Sequence, residues 1–150
     1  MLLGELLIKK GLITPEQLEM ALEEQKITSD FLGAILLRKN YIREEDLLAA
    51  LSTQFNIPYV ELQFNAIDWN AAMRFNSELV SEHFCLPVRE DDNTLWIAIT
   101  NPLDAFAISE AERLARPKSV RLVLVSSKQM QKALVTYKEK AATRLKKSLE

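Results

Sequence analysis

An α+β fold in two parts is predicted: an N-terminal four-helix duplicated subdomain, followed by a small α/β sandwich with a short, mainly antiparallel sheet. Three observations predict it. A 24-residue pattern occurs twice, over residues 2–25 and 31–54, at a fixed offset of 29. Apolar residues inside each copy recur at helical spacing. Beyond residue 56 the texture changes to short apolar and β-branched runs separated by turn and helix signals, in the order β, β, α, β, α.

The repeat pairs Leu3 with Leu32, Gly4 with Gly33, Leu7 with Leu36, Leu18 with Leu47, Leu22 with Leu51 and Gln25 with Gln54. Gly11 pairs with Asn40, and glycine and asparagine are the residues that most readily take the left-handed conformation ending a helix. Each copy therefore reads as helix, turn, helix. Two such units side by side create a local pseudo-two-fold, and its groove suits a partner helix or a ligand that is itself two-fold symmetric.

Leu3, Leu6 and Leu7 mark the first helix, which Gly11 closes. Thr14, Pro15 and Gln17 form a strong start to the second: a cap, a proline at the first helical position, and a glutamine placed to complete a capping box. Its inner stripe is Leu18, Ala21 and Leu22, and it ends near residue 26. The third helix spans about 30–39. The fourth spans about 43–55, with Leu47, Leu48, Leu51 and Phe55 inward and Glu44, Glu45 and Asp46 near its positive end. Residues 57–62 are an extended connector, because Pro58 excludes its predecessor from the helical region.

A short helix is expected over 65–75, and Asn76 caps another reaching His83. Residues 84–90 and 94–100 read as strands joined by a turn at Asp91, Asp92 and Asn93. Asp104 caps a helix to about 115, residues 119–126 form a β-branched strand, and a last helix runs from Ser127 to about 140. The domain boundaries that follow are 1–56, 57–140 and a basic tail or linker at 141–150. Five basic residues between Lys138 and Lys147 give that end its character. The abrupt start at Leu2 and the final Leu149 and Glu150, which resemble a cloning scar, point to a domain excised from something longer.

With 48% apolar and 27% charged residues, the composition is that of an ordinary globular chain, and the net charge of −2 opposes a general grip on DNA or RNA. Apolar runs are too short to cross a bilayer and no leader pattern opens the chain, so a cytoplasmic location without membrane insertion is expected. Cys85, between Phe84 and Leu86, is expected to be a buried thiol. His83 has no metal-ligand partners at useful spacing, and no phosphate loop, nucleophile elbow or carboxylate pair is present, so the chain is expected to be no enzyme. Trp96 is expected to alternate into the strand core; Trp69 packs on its helix or anchors a partner.

A leucine stripe at helical spacing is ordinarily core. Two features of the repeat go further. Glutamine twice at one register, Gln25 and Gln54, is not required by packing. Gly4 and Gly33 each cost a helix about 1 kcal/mol relative to alanine, which requires a close approach to the backbone by a ligand or by another helix.

The spacing Leu3-Gly4, Leu7, Gly11, Leu18, Leu22, Gln25, repeated after residues 26–30, resembles the cyclic-di-GMP-binding motif of MshEN domains. These are N-terminal domains of type II secretion and type IV pilus assembly ATPases, with similar modules on membrane glycosyltransferases of the adsorption protein B family. Residues 84–88, 95–98 and 101–104 are similar to that domain's α/β portion. The resemblance implies a regulatory module that requires no cofactor and takes cyclic-di-GMP as ligand. It implies a first half-site of Leu3, Gly4, Leu7, Gly11, Leu18, Leu22 and Gln25, and a second of Leu32, Gly33, Leu36, Leu47, Leu51 and Gln54, to which Phe31 is added as a residue placed to stack on a guanine. It further implies partners in the rest of a parent chain or in an inner-membrane assembly component, and hence a place at the periphery of that membrane.

One departure from the family pattern stands out. The motif opens with arginine, and here those positions hold Leu2 and Phe31. A charge-assisted hydrogen bond contributes about 1.5 to 3 kcal/mol, so each loss weakens nucleotide binding by roughly tenfold to 150-fold. Stacking of Phe31 on a base would return about 1 to 3 kcal/mol. The alternative function is a docking module whose groove has lost the nucleotide and holds a helix of an inner-membrane partner.

Overall fold

The computed structural model describes residues 2–149 and divides into two compact units, residues 1–57 and 58–150. The first is helical: α1 Leu3–Lys9, α2 Pro15–Thr28, α3 Leu32–Arg38 and α4 Glu44–Phe55. α1 packs on α4 and α2 packs on α3. Exchanging the two copies turns one of these contacts into the other, which is the pseudo-two-fold that the repeat demands.

The stop signals act alike in both copies. Gly11 has φ +71° and Asn40 φ +58°. In each, the next amide reaches back five residues, Leu12 to Leu7 O at 2.9 Å and Tyr41 to Leu36 O at 3.0 Å. This is a Schellman closure. At the start of α2 the capping box is complete: the Gln17 amide donates to Thr14 Oγ1 at 3.1 Å and the Thr14 amide donates to Gln17 Oε1 at 2.9 Å. Arg43, before α4, makes no such cap. The acidic first turn takes its place, with Arg43 pairing to Asp46 and Glu45.

Several boundaries in this unit differ from expectation. Phe31 is the residue before α3 rather than part of it, and α2 runs on to Thr28, where Ser29 at φ +61° ends it. Phe55 was expected inward but is 38% exposed, because Leu48 and Leu51 fill the inner face and left-handed Asn56 turns the chain immediately after it.

The second unit contains α5 Trp69–Ala72, α6 Ser77–His83, β1 Cys85–Glu90, β2 Thr94–Ile99, α7 Ala105–Ala115, β3 Ser119–Leu124 and α8 Ser127–Ser148. The α+β class is as the sequence predicts. The strands lie in the order β1-β2-β3, with β1 antiparallel to β2 and β3 parallel to β2. The parallel pair follows from the connection, since a helical crossover returns the chain in the same direction. Asp91 Oδ1 closes the β1–β2 turn by accepting from the Asn93 and Thr94 amides at 2.9 and 2.8 Å.

The single helix expected over 65–75 is instead a 3-10 turn at Phe64–Ala66 and the short α5. Asp68 divides them, because its carboxylate accepts from the Asn70 and Ala71 amides and starts a new helix. Phe84 takes φ +52° as the end of α6, so the strand begins at Cys85. β3 stops at Leu124, and Ser126 caps α8 by accepting from the Gln129 amide at 3.2 Å. Trp96 does not enter the strand core: Leu95, Ile97 and Ile99 take the inward phase, and Trp96 lies half-buried under Arg89, 3.9 Å from its ring. The expected basic tail is helical over 141–148, as α8 continues to Ser148 through lysine and alanine, both good helix formers.

Ionic and polar ties hold the second unit. Arg74 grips Glu90 through Nε at 2.8 Å and Nη2 at 2.6 Å, and Lys118 Nζ adds a third contact at 2.5 Å. The Arg74 guanidinium foremost, with Lys118, holds the Glu90 carboxyl down to about 2. His83 Nδ1 meets Asp104 Oδ2 at 2.8 Å and so links the end of α6 to the cap of α7. Cys85 is fully buried, and desolvation pushes its thiol up to about 12, the state of an inert core thiol.

Candidate functional site

The two glycines of the repeat have one geometrical meaning. A Cβ built on Gly4 would stand 2.7 Å from Leu18 Cδ1, and one on Gly33 would stand 3.0 Å from Leu47 Cδ2. In both copies the missing side chain lets the second-helix leucine lie against the backbone of the first helix. The close approach predicted from sequence is thus a helix contact, made once in each copy by the matching leucine.

Around these contacts the other motif residues separate into floor and surface. Leu7 and Leu36 have no exposure at all and belong to the core, with Leu3 at 8% just above them. They hold the helices from beneath and reach no surface that a ligand touches. Leu32 and Leu18 are half-buried, and Gly11 lies open at the end of α1. Leu22 is 39% exposed while Leu51 is 3% exposed and Leu47 is 4% exposed. Leu2 and Phe31, at the residues preceding α1 and α3, are 73% and 44% exposed.

Gln25 and Gln54 are both half-buried. The Gln25 side-chain amide donates to the Asp30 carbonyl at 3.1 Å, which ties the end of α2 to the start of the second copy. The side-chain carbonyl oxygen of Gln54 is buried. Leu18, Leu22 and Gln25 share one side of α2, so the first copy presents an apolar strip that ends in an amide. No metal-binding cluster occurs among the described residues.

Sequence reasoning missed an ionic seam between α2 and α3. Arg38 binds Glu24, and also Asp30 at 3.3 Å, while Lys39 stands 3.4 Å from Glu24. The Arg38 guanidinium holds the Glu24 carboxyl below the ordinary carboxylate range. The equivalent positions on the other seam are Lys9, Lys10 and Thr53, so only one seam carries the carboxylate. That asymmetry was readable from the repeat alignment, had the positions outside the motif been compared. A cleft of about 420 Å³ brings Leu12 together with its counterpart Tyr41 beside Asn40 and Arg43, and of the motif positions only Asn40, the counterpart of Gly11, lines it.

Comparison with known proteins places this geometry. The family model of the MshEN domain matches residues 55–143, which takes in the whole of the sheet and most of α8. The type IV pilus assembly ATPase PilB of Myxococcus xanthus is 27% identical over 135 residues, covering 90% of this chain and 24% of that protein. PilB of Thermus thermophilus is 34% identical over 123 residues, covering 81% of this chain and 14% of that protein. The chain therefore spans a quarter or less of the length of these relatives.

Among solved structures, MshE with cdg superimposes with a TM-score of 0.79 at 27% identity, covering 91% of this chain and 99% of that one. The N-terminal domain of XpsE, at 19% identity and a TM-score of 0.65, covers 87% of this chain and 90% of that one and shares the fold. With more than half of its residues matched by the family model and both of its units spanned by the MshE superposition, the chain belongs to the MshEN domain family.

Proposed function

We propose that the chain is a non-catalytic regulatory module whose duplicated helical unit takes cyclic-di-GMP and so controls a larger type IV pilus or type II secretion assembly ATPase on the cytoplasmic side. The observation that carries this reading is the pair of matched contacts, Gly4 with Leu18 and Gly33 with Leu47. They set the two copies in the same helix arrangement within one small unit, the backbone symmetry that a two-fold symmetric dinucleotide calls for. The likeness to MshE, solved with cdg, supports it.

Leu18, Leu22 and Gln25 are the groups of the first half-site that touch the ligand, whereas Leu47 and Leu51, 4% and 3% exposed, back the second half-site, where half-buried Gln54 is the polar group. Leu3, Leu32, Gly11, Leu7 and Leu36 act by holding the helices in place. The ligand regulates by binding one arrangement of the parent protein better than another, since equal affinity for both would shift nothing.

Isothermal titration of the folded chain with cyclic-di-GMP tests the reading, with a dissociation constant on the order of micromolar expected. Leu2→Arg and Phe31→Arg should each tighten it by roughly tenfold or more, as a charge-assisted hydrogen bond is gained. Absence of heat in the folded wild type and in both variants removes this function. A second reading, a groove for the helix of an inner-membrane assembly partner, is favoured by the exposed apolar Leu2 and Phe31 at the motif's arginine positions. Capture of such a partner that Leu22→Arg abolishes, without nucleotide binding, would select it.

A further inference from the structure

Positive charge is concentrated on one helix. Along α8 stand seven cations against the single carboxylate of Glu139, in a chain whose net charge is −2. Lys128, Lys132, Lys140 and Arg144 fall four or a multiple of four residues apart and so form one ridge, which with Lys147 runs about 30 Å. Among the described residues none of the α8 cations takes part in an ion pair, although cations elsewhere do. Two of them lie over aromatic rings instead, Lys132 Nζ 4.4 Å from the Phe64 ring centre and Lys140 Nζ 5.7 Å from that of Trp69.

The helix is also two different things along its length. Met130, Ala133, Leu134 and Tyr137 bury its first half, and after Tyr137 no residue of α8 is buried. On that second half Ala142 is exposed and Leu145 is 64% exposed, in line with Val135 at 60% one side of the helix earlier. Spacings of seven and ten residues put Val135, Ala142 and Leu145 on one face. Lys146 borders that strip, and Lys138, three residues after Val135 and four before Ala142, stands within it; long lysine stems extend along an apolar surface while the ammonium stays with charge.

We propose that the second half of α8 is a peripheral docking arm for an anionic lipid surface, lying in the headgroup plane with its apolar strip inward and its lysines on the phosphates. A cation-rich amphipathic helix is the form that such a surface selects, and each basic residue adds to the attraction. The arm lies on the surface and does not cross it, and no helix among the described residues is long and apolar enough to span a bilayer. A second copy of the chain would set cation against cation. A nucleic acid would satisfy the lysines but leave Val135 and Leu145 in water. The inference concerns the α/β unit and is independent of the nucleotide reading of the helical unit.

Co-sedimentation of the whole chain with phosphatidylglycerol-containing vesicles, and with phosphatidylcholine vesicles as control, tests it. Binding to the first and not the second is expected, released by salt at about 0.5 M, where screening acts within a few ångströms. Lys138→Gln with Lys146→Gln should weaken binding on the order of tenfold or more, and Leu145→Gln should weaken it several-fold; all three positions are exposed, so the melting profile should stay that of the wild type. Equal binding to both vesicles, no binding to either, or binding to a DNA duplex that matches the anionic vesicles and ignores Leu145→Gln would each overturn the proposal.

Discussion

In the first copy of the helical repeat Leu22 stands 39% exposed, while its counterpart Leu51 in the second copy is 3% exposed. The seams differ too, for α2 and α3 share the Glu24 cluster while Lys9, Lys10 and Thr53 occupy the matching places of the other seam. The caps differ, with a full capping box before α2 and only an acidic first turn before α4. Duplication conserved the backbone arrangement, the left-handed stops and the glycine contacts. It did not conserve burial, so the same motif letters carry stability in one copy and exposed surface in the other.

The largest effect that this difference predicts is on stability. Leu51→Ala opens a cavity in packed surroundings and should cost about 2 to 5 kcal/mol, whereas Leu22→Ala at the partly open position should cost under about 1 kcal/mol. Denaturant midpoints of the two variants check it. Equal losses would mean that the two leucines share one environment and that the exposed strip on α2 is not a free surface.

Two carboxylates held by paired cations extend the comparison to charge. Glu90, between Arg74 and Lys118, is 16% exposed and is held down to about 2, against an ordinary value of 4.5. Its folded value is depressed, so its stabilising effect, roughly 2 to 3 kcal/mol, is complete above its unfolded pKa and is lost as the pH falls from about 4.5 towards 2. Glu90→Gln should flatten the acid limb of stability in that window. Glu24→Gln, at the surface, should leave that limb nearly unchanged, because exposed pairs are screened. A larger loss at Glu24 than at Glu90 would reverse the ranking.

Legibility in the sequence followed the range of the physics involved. The stops at Gly11 and Asn40, the Thr14 box and the Asp104 cap act within a few residues, and each was readable directly. The mixed class and the β, β, α, β, α succession along the chain were readable because helix and strand periodicities differ. What escaped reading depends on neighbours remote in sequence: the inward phase of Leu95 over Trp96, the exposure of Phe55, and the different burial of Leu22 and Leu51. The broken helix at 65–75 is a different kind of miss, because Asp68 carried a cap signal inside an apolar pattern that suggested continuity. In the candidate site the glycines were recognised as close-approach positions, but only coordinates could say that Leu18 and Leu47 are what approach.

Those glycines supply the next test. Alanine gains roughly 1 kcal/mol of helix preference over glycine, and the new methyl must displace a leucine. At Gly4 the leucine is half-buried Leu18, whose Cδ atoms can swing outward, so Gly4→Ala should be close to neutral. At Gly33 it is Leu47, 4% exposed and enclosed, so Gly33→Ala should cost about 1 kcal/mol. Gly4→Ala should nonetheless weaken cyclic-di-GMP binding, because it moves a leucine of the proposed first half-site. Thermal melts and titrations on the same two proteins separate the effects. If Gly4→Ala is the more destabilising of the two, Leu18 is as confined as Leu47 and the copies are more alike than their exposures indicate.

The smallest expected effect concerns the feature the copies share most closely. Gly11 at φ +71° has nothing within 4 Å of where a Cβ would stand, so a substitution there tests backbone strain alone. Gly11→Ala should cost about 1 kcal/mol, the ordinary penalty for an L residue in the left-handed region. Gly11→Asn, which copies Asn40, should cost no more than about half of that, because asparagine tolerates the conformation through local hydrogen bonding. Asn40→Gly should change stability by only a few tenths of a kcal/mol, relief of strain being offset by the greater freedom of glycine in the unfolded chain. Denaturation curves of the three variants at a common slope resolve differences of this size. If Gly11→Asn costs as much as Gly11→Ala, the two stops are not equivalent, and the Schellman closure at Asn40 is then held by its surroundings rather than by the residue itself.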